Sequence, residues 1–212
     1  GEIALIQPDG TLIDHVIYGL QQEGVSMGRS PNGGASIVFI NQPTPGSGNP
    51  EVTLPPPPIT VSLIPIDQAW SYDESGADLG TDWKEVSFDD TSWPTGQALL
   101  GEENSPLPEP LPTPVLSSLS GGPVTVCCRA HSNCDASQEI SSLELNHIID
   151  DGAIFYLNGT EVGRFNMPGG AVNFQTLAPS SVGNAVYQGP LSIALAALVV
   201  GDNVIAVKIH QQ

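Results

Sequence analysis

The chain has 212 residues, enough for one ordinary domain or for one domain with a smaller companion. Its 23 Gly and 20 Pro exclude a helix bundle and suit strands joined by tight turns. Five cations face 23 carboxylates for a net charge of −18, which excludes a nucleic-acid partner and disfavours an anionic membrane surface.

Apolar residues make up 40% of the chain, enough for a packed core. The first 50 residues read as short strands. Ile3–Ile6 leads through a Pro8-Asp9-Gly10 turn into Leu12–Tyr18, and Ser36–Ile40 is a further apolar strand after Gly/Asn/Pro-rich turns. Residues 51–66 read as a linker, because Pro55–Pro58 impose an extended, semi-rigid rod. From residue 67 the pattern is β again, interrupted by a Pro-rich loop at Pro106–Pro114.

Cys127, Cys128 and Cys134 lie close together in sequence. A disulfide is expected between Cys128 and Cys134 across a tight excursion of the chain, leaving one buried or intermolecular thiol. A Cys/His metal site using His131 is the alternative, although the spacing lacks the paired cysteines of a structural zinc site. An oxidised pair agrees with an extracellular or cell-surface protein poor in Lys.

The C-terminal third has the better strands. Ile140–Ile149 alternates, with Leu143, Leu145 and His147 on one face. Ala153–Leu157 and Val162–Phe165 flank Asn158-Gly159, the strongest short hairpin signal in the chain. Leu191–Val199 is strand or helical turn by its period alone. Val204–Ile209, nearly continuous in β-branched residues, is expected to be a central strand buried on both faces. The longest apolar run, Leu191–Val200, is too short to span a bilayer. The chain opens at Gly1 with neither a Met nor a signal-like segment, which reads as a processed piece of a longer product or as a cloning remnant at Gly1.

Two resemblances follow from these residues. Gly1-Glu2-Ile3-Ala4-Leu5, Asp9-Gly10, Asp14, Tyr18-Gly19, Ser26-x-Gly28-Arg29 and Thr44-Pro45-Gly46 with Asn49 resemble the C-terminal part of a bacterial lamin tail domain, an immunoglobulin-like sandwich. Trp70-Ser71-Tyr72, Trp83, Phe88-Asp89-Asp90-x-x-Trp93, Leu100-Gly101, Arg129, Asp150-Asp151-Gly152, Phe155-x-x-Asn158-Gly159 and Gly201–Val207 ending at His210-Gln211 resemble a galactose-binding-like jelly roll of secreted bacterial proteins. Both matches are trimmed relative to their families. The expected fold is therefore all-β: a partial immunoglobulin-like unit at 1–50, the Pro-rich linker, and a jelly-roll β-sandwich at 67–212.

The second resemblance implies that Asp150 and Asp151 hold calcium and, through it, a sugar; hard carboxylate oxygens at a strand end suit that ion. An Asx-type turn is the plainer expectation for the pair, as is a turn supporting Trp93 for Asp89-Asp90. Trp70, Trp83 and Trp93 are candidate sugar-stacking residues, set against roles as core anchors. His147 and His210 read as core histidines. Asn158-Gly159-Thr160 fits a glycosylation sequon, although the hairpin already demands Asn-Gly. No hydrolase elbow, zinc-protease motif or phosphate loop occurs. The expected function is a non-catalytic structural or adhesion module whose partners are other copies or other segments of the same extracellular protein. The alternatives are a carbohydrate-binding module taking polysaccharide, and an accessory domain of a secreted hydrolase.

Overall fold

The computed structural model describes residues 1–18, 23–50, 60–115, 121–135 and 140–212. The chain divides into two compact units, Gly1–Thr60 and Val61–Gln212. The polyproline rod at Pro55–Pro58 lies outside the described residues.

The first unit consists of two strand pairs. β1 (Glu2–Ile6) pairs antiparallel with β2 (Leu12–Ile17), and β3 (Ser26–Arg29) pairs antiparallel with β4 (Ile37–Ile40). The Pro8-Asp9-Gly10 turn forms as expected: Gly10 takes φ +90°, a left-handed value, and Thr11 N–H donates to Asp9 Oδ1 at 2.9 Å. Arg29 joins the two pairs, donating to Asp14 Oδ1 at 2.5 Å and to the Gly34 carbonyl at 2.9 Å. Val38 and Ile40 are buried, whereas β1 is exposed along its whole length.

The second unit is built on a six-stranded antiparallel sheet in the order β12-β11-β14-β9-β5-β6. These strands are β5 (Ala69–Asp73), β6 (Thr95–Gln97), β9 (Thr125–Cys134), β11 (Gly152–Leu157), β12 (Thr160–Phe165) and β14 (Gly201–His210). A short parallel pair, β7 (Leu100–Gly101) with β8 (Thr113–Pro114), and an antiparallel pair, β10 (Leu143–His147) with β13 (Gln188–Ile193), complete the unit. The fold is all-β and sandwich-like. One face of the large sheet presents Ala130, Ala153, Phe155, Ile205 and Val207, against which Leu145 of β10 and Leu191 of β13 pack. The other face presents Cys127, Val204 and Ala206, covered by Leu79, Trp83, Val86, Phe88 and Trp93 from the segment between β5 and β6.

β14 is the central strand that its β-branched run predicts, with Val204 through Val207 buried. The Leu191–Val199 run splits: β13 ends at Ile193 and a single 3-10 turn follows at Leu195–Ala197. β9 departs from expectation. In place of a tight excursion at the cysteines there is one ten-residue strand, paired in unbroken register with β14 from Gly201↔Cys134 to His210↔Thr125. Its local pattern is poor in strand signal, and the β14 partner supplies the ladder that extends it.

Candidate functional site

Arg129, on β9, is fully buried, with no exposure to solvent. Its Nε donates to Asp90 Oδ2 at 2.8 Å, its Nη1 to the carbonyls of Trp83 and of Glu85 (3.0 Å to the latter), and its Nη2 to the Phe88 carbonyl at 3.3 Å. The guanidinium also lies 5.2 Å from the centroid of the Phe88 ring. A buried cation needs such compensation. The result is that one side chain fixes the loop that carries Trp83 and Trp93. His131, two residues on, bridges the same Asp90 (Nε2 to Oδ2, 3.6 Å) and Asp202 of β14 (Nδ1 to Oδ2, 3.2 Å). Asp89 forms the expected Asx turn, accepting from Thr91 N–H at 3.1 Å, whereas Asp90 is the ion-pair partner of Arg129.

The three tryptophans do not share one face of the sheet. Trp83 is buried and meets Tyr156 edge-on at 5.9 Å. Trp93 packs edge-on against Phe88 at 5.5 Å, and Trp70 packs on the opposite face of the sheet among Ala130, Phe155 and Val126. A chain with so few aromatic residues has used its largest ones as core anchors.

Asp150 and Asp151 lie in the turn before β11, and their geometry is that of a latch. Asp151 is buried, and both its oxygens accept backbone donors: Oδ1 from Val182 N–H at 2.7 Å, Oδ2 from Gln212 N–H at 2.8 Å. Burial, followed by hydrogen bonding to and repulsion from Asp151 and Glu103, pushes the Asp150 carboxyl up to about 7. A cation bound to this pair would compete with those two N–H groups for Asp151 and displace a proton from Asp150. Among the described residues no group of three His, Cys, Asp or Glu is arranged to hold a metal ion.

The Asn158 amide is likewise committed. Nδ2 donates to the Ala197 carbonyl at 2.9 Å and to Asn203 Oδ1 at 2.8 Å, and Oδ1 accepts from Val204 N–H at 2.9 Å. Both hydrogens of the nitrogen that a glycan would occupy are engaged, and Asn158 and Gly159 take φ 51° and 82°, the left-handed values the hairpin turn needs. The hydrogen-bonded pair Asn158–Asn203 instead ties the β11–β12 turn to the start of β14.

The expected Cys128–Cys134 disulfide is corrected. Both residues lie on β9, six positions apart, and an extended strand separates them by roughly 20 Å, far beyond the 7 Å a disulfide spans. Cys127 and Cys128 are buried free thiols; burial pushes Cys127 up to about 12 and Cys128 higher still. Cys134 is also buried, with its sulfur 4.0 Å from the Asp135 carbonyl oxygen. His147 sits between Phe155 and Phe165 at 4.9 and 4.8 Å, and burial lowers its basicity. His210 is fully buried beside Thr125 Oγ1 (3.1 Å) and the Thr176 carbonyl (2.7 Å), and burial pulls it down to about 4.

Three features escape a reading of the sequence. Glu103, from the loop after β7, faces Asp150 across nearly fifty residues of chain. Tyr187 is exposed, its hydroxyl donating to Glu109 Oε1 at 2.6 Å. A shallow depression of about 210 Å³ is lined by Cys134, Asp135, Ile140, Leu195, Leu198, Val199 and Val200. None has a local sequence signature.

The second unit is thus an all-β sandwich-like module whose buried polar side chains fasten loops. No protein-family model and no curated protein matches the chain. Among solved structures it is similar to a β-glucuronidase from glycoside hydrolase family 2, with a TM-score of 0.44, 16% identity and coverage of 74% of this chain and 15% of that one. It is also similar to a Bacteroides uniformis β-glucuronidase (TM-score 0.42, 14% identity, 68% of this chain and 14% of that one). A β-glucuronidase of an uncultured Clostridium sp. gives 0.43, 13%, 68% and 21%. The chain therefore spans a small part of each enzyme, and a likeness of this size does not extend to activity.

Proposed function

We propose that the chain is a non-catalytic structural or adhesion module, a segment or subunit of an extracellular or cell-surface assembly. The observation that carries this reading is the β1–β2 strand pair, whose aliphatic side chains Ile3, Leu5, Ile6, Leu12, Ile13 and Ile17 are 55–70% exposed. A two-stranded pair with exposed apolar side chains on both faces has little to stabilise it in water by itself, and covering those side chains with a neighbour would supply what it lacks. The polar groups that drew attention as chemistry (Arg129, Asp90, Asp151, Asn158) all have structural partners, which agrees with a non-catalytic role. Electron microscopy of natively isolated material, prepared without reductant or chelator, tests the reading. Filaments, sheets or ordered multimers are expected; dispersed single particles would count against it.

A carbohydrate-binding accessory module is the second reading. The exposed Tyr187 ring beside Glu109 offers an aromatic face next to a carboxylate, the elements of a sugar contact. Calorimetry against a polysaccharide panel, with Tyr187→Ala as control, decides it: heat lost in the variant supports this reading, and no heat from any glycan removes it.

A further inference from the structure

We infer that the proline run Pro106–Pro114 is an edge guard. It closes the β6–β8 end of the second unit to strand addition, so that no further extended chain, a second copy of this one included, joins edge-on there. The inference goes beyond the assembly reading and sets a boundary on the surfaces an assembly can use.

This end of the unit begins with β6, the last strand of the six-stranded sheet. Ala98 N–H donates to the Gln68 carbonyl at 3.0 Å, so the Gln97 carbonyl on the same planar peptide faces away from β5. Thr113 of β8 takes that carbonyl, its Oγ1 donating to the Gln97 oxygen at 2.8 Å. Gly96 leaves room for the approach, because a Cβ there would collide with the Thr113 side chain. With Leu100↔Thr113 and Gly101↔Pro114 in register, β8 lies along the segment that runs from β6 into β7.

The hydrogen bonds of β8 fix which of its backbone groups face outward. Thr113 N–H donates to the Leu99 carbonyl at 3.4 Å, and Val115 N–H donates to the Gly101 carbonyl at 3.0 Å. Backbone groups alternate in direction along an extended strand, so an N–H at residue 112 or 114 would point to the open side. Both residues are proline and have none. Among the described residues no strand pairs with that side. The edge therefore offers the carbonyls of Pro112 and Pro114 with no donor between them.

The same parity runs upstream. Pro106, Pro108, Pro110, Pro112 and Pro114 are all exposed, whereas Leu107, Glu109, Leu111 and Thr113 between them are half-buried. Proline that served only to make a loop would fall on either parity. Here it takes every exposed position of the stretch and none of the inward ones. An incoming strand needs a row of alternating donors and acceptors. Against this edge its own carbonyls would meet pyrrolidine rings and stay unpaired, and each one buried in that way opposes the contact. Proline on an edge is one of the ways by which folded proteins prevent edge-to-edge pairing.

Restoring the missing donors tests the guard. Pro112→Thr/Pro114→Thr in the full 212-residue chain returns both N–H groups in a residue suited to strands, with little added apolar surface. In sedimentation velocity this variant is expected to associate about tenfold or more tightly than the unmodified chain. Pro106→Thr/Pro108→Thr, ahead of the pinned segment, is expected to leave association unchanged. Hydrogen–deuterium exchange gives a second readout. The Thr113 and Val115 amides should stay protected in the variant, and the two new amides should exchange fast in dilute samples and slowly in concentrated ones. Pro112→Thr alone, outside β8, carries the same expectation should the double variant lose the β7–β8 pair. Each comparison is with the unmodified chain, so it reads the guard whether or not that chain assembles through another surface. A variant that keeps Thr113 and Val115 protected yet associates no more than the unmodified chain would overturn the guard. Equal association of the Pro106→Thr/Pro108→Thr variant would overturn it too, since place on the edge would then not matter.

Discussion

The Nε of Arg129 donates to Asp90 Oδ2 at 2.8 Å, with the arginine side chain fully buried and the aspartate nearly so. Three main-chain carbonyls, those of Trp83, Glu85 and Phe88, accept three of the four remaining guanidinium hydrogens. The planar five-donor fork is what makes this possible: a single residue on the central sheet replaces the ladder that the covering loop lacks. The apolar face beneath it, from Cys127 to Ala206, is closed by the side chains of that loop.

Replacing Arg129 is accordingly expected to be costly. Arg129→Met leaves Asp90 buried without its partner and orphans three carbonyls, a loss of about 3–5 kcal/mol by denaturant titration. Arg129→Lys should recover little of it, because an ammonium cannot reach four acceptors spread over the loop. Full stability in the lysine variant would contradict this role.

Two groups, the half-buried Asp150 and the buried His210, make opposite contributions to the pH dependence of stability. Asp150, raised from 3.8 to about 7, keeps a proton in the folded state that the unfolded chain releases, so its contribution is complete below pH 4 and is lost as pH rises to 7. His210, lowered from 6.5 to about 4, stays neutral when folded, so its contribution is present above pH 6.5 and is lost as pH falls to 4. The two slopes oppose each other between pH 4 and 6.5 and flatten the profile there. Asp150→Asn is expected to leave the His210 slope uncovered, with stability rising across that interval. An unchanged profile in melting curves would contradict the latch at Asp150–Asp151.

The same latch bears on calcium. Since both Asp151 oxygens hold backbone N–H groups, millimolar calcium is expected to leave the melting temperature of the chain unchanged within a degree or so. A calcium-dependent rise that disappears in Asp150→Asn/Asp151→Asn would restore the ion to this pair.

Asn158 separates backbone from side-chain effects. Asn158→Gly keeps the left-handed turn but loses three hydrogen bonds, and is expected to cost about 2–3 kcal/mol by denaturant titration. Asn158→Ala should cost more, because φ 51° is strained for alanine. Expression in a glycosylating host is expected to add no mass at this position.

The buried thiols give a simple readout. Cys127 and Cys128 are expected to react with a thiol reagent only after denaturation, and a non-reducing gel should show no intramolecular crosslink. Rapid labelling of either residue in the folded chain would contradict their place in the sheet.

Much of the strand layout was legible, because it is local. Asn158-Gly159 fixes a hairpin by conformational preference, and the β-branched run at Val204–Ile209 needs burial on both faces wherever it lies. β9 was not legible: Arg129, His131 and Asn133 interrupt its apolar pattern, and only its ten-residue pairing with β14 makes it a strand. The candidate sites fared worse for the same reason. Asp150-Asp151 and Asn158 are residue types with chemical uses, and their actual partners, Val182, Gln212, Ala197 and Asn203, lie 31 to 61 residues away in sequence.

Sedimentation velocity at high and low protein concentration tests most directly whether this chain is built to assemble. Species larger than a monomer are expected to grow with concentration. A single species of monomer mass at every concentration would contradict assembly.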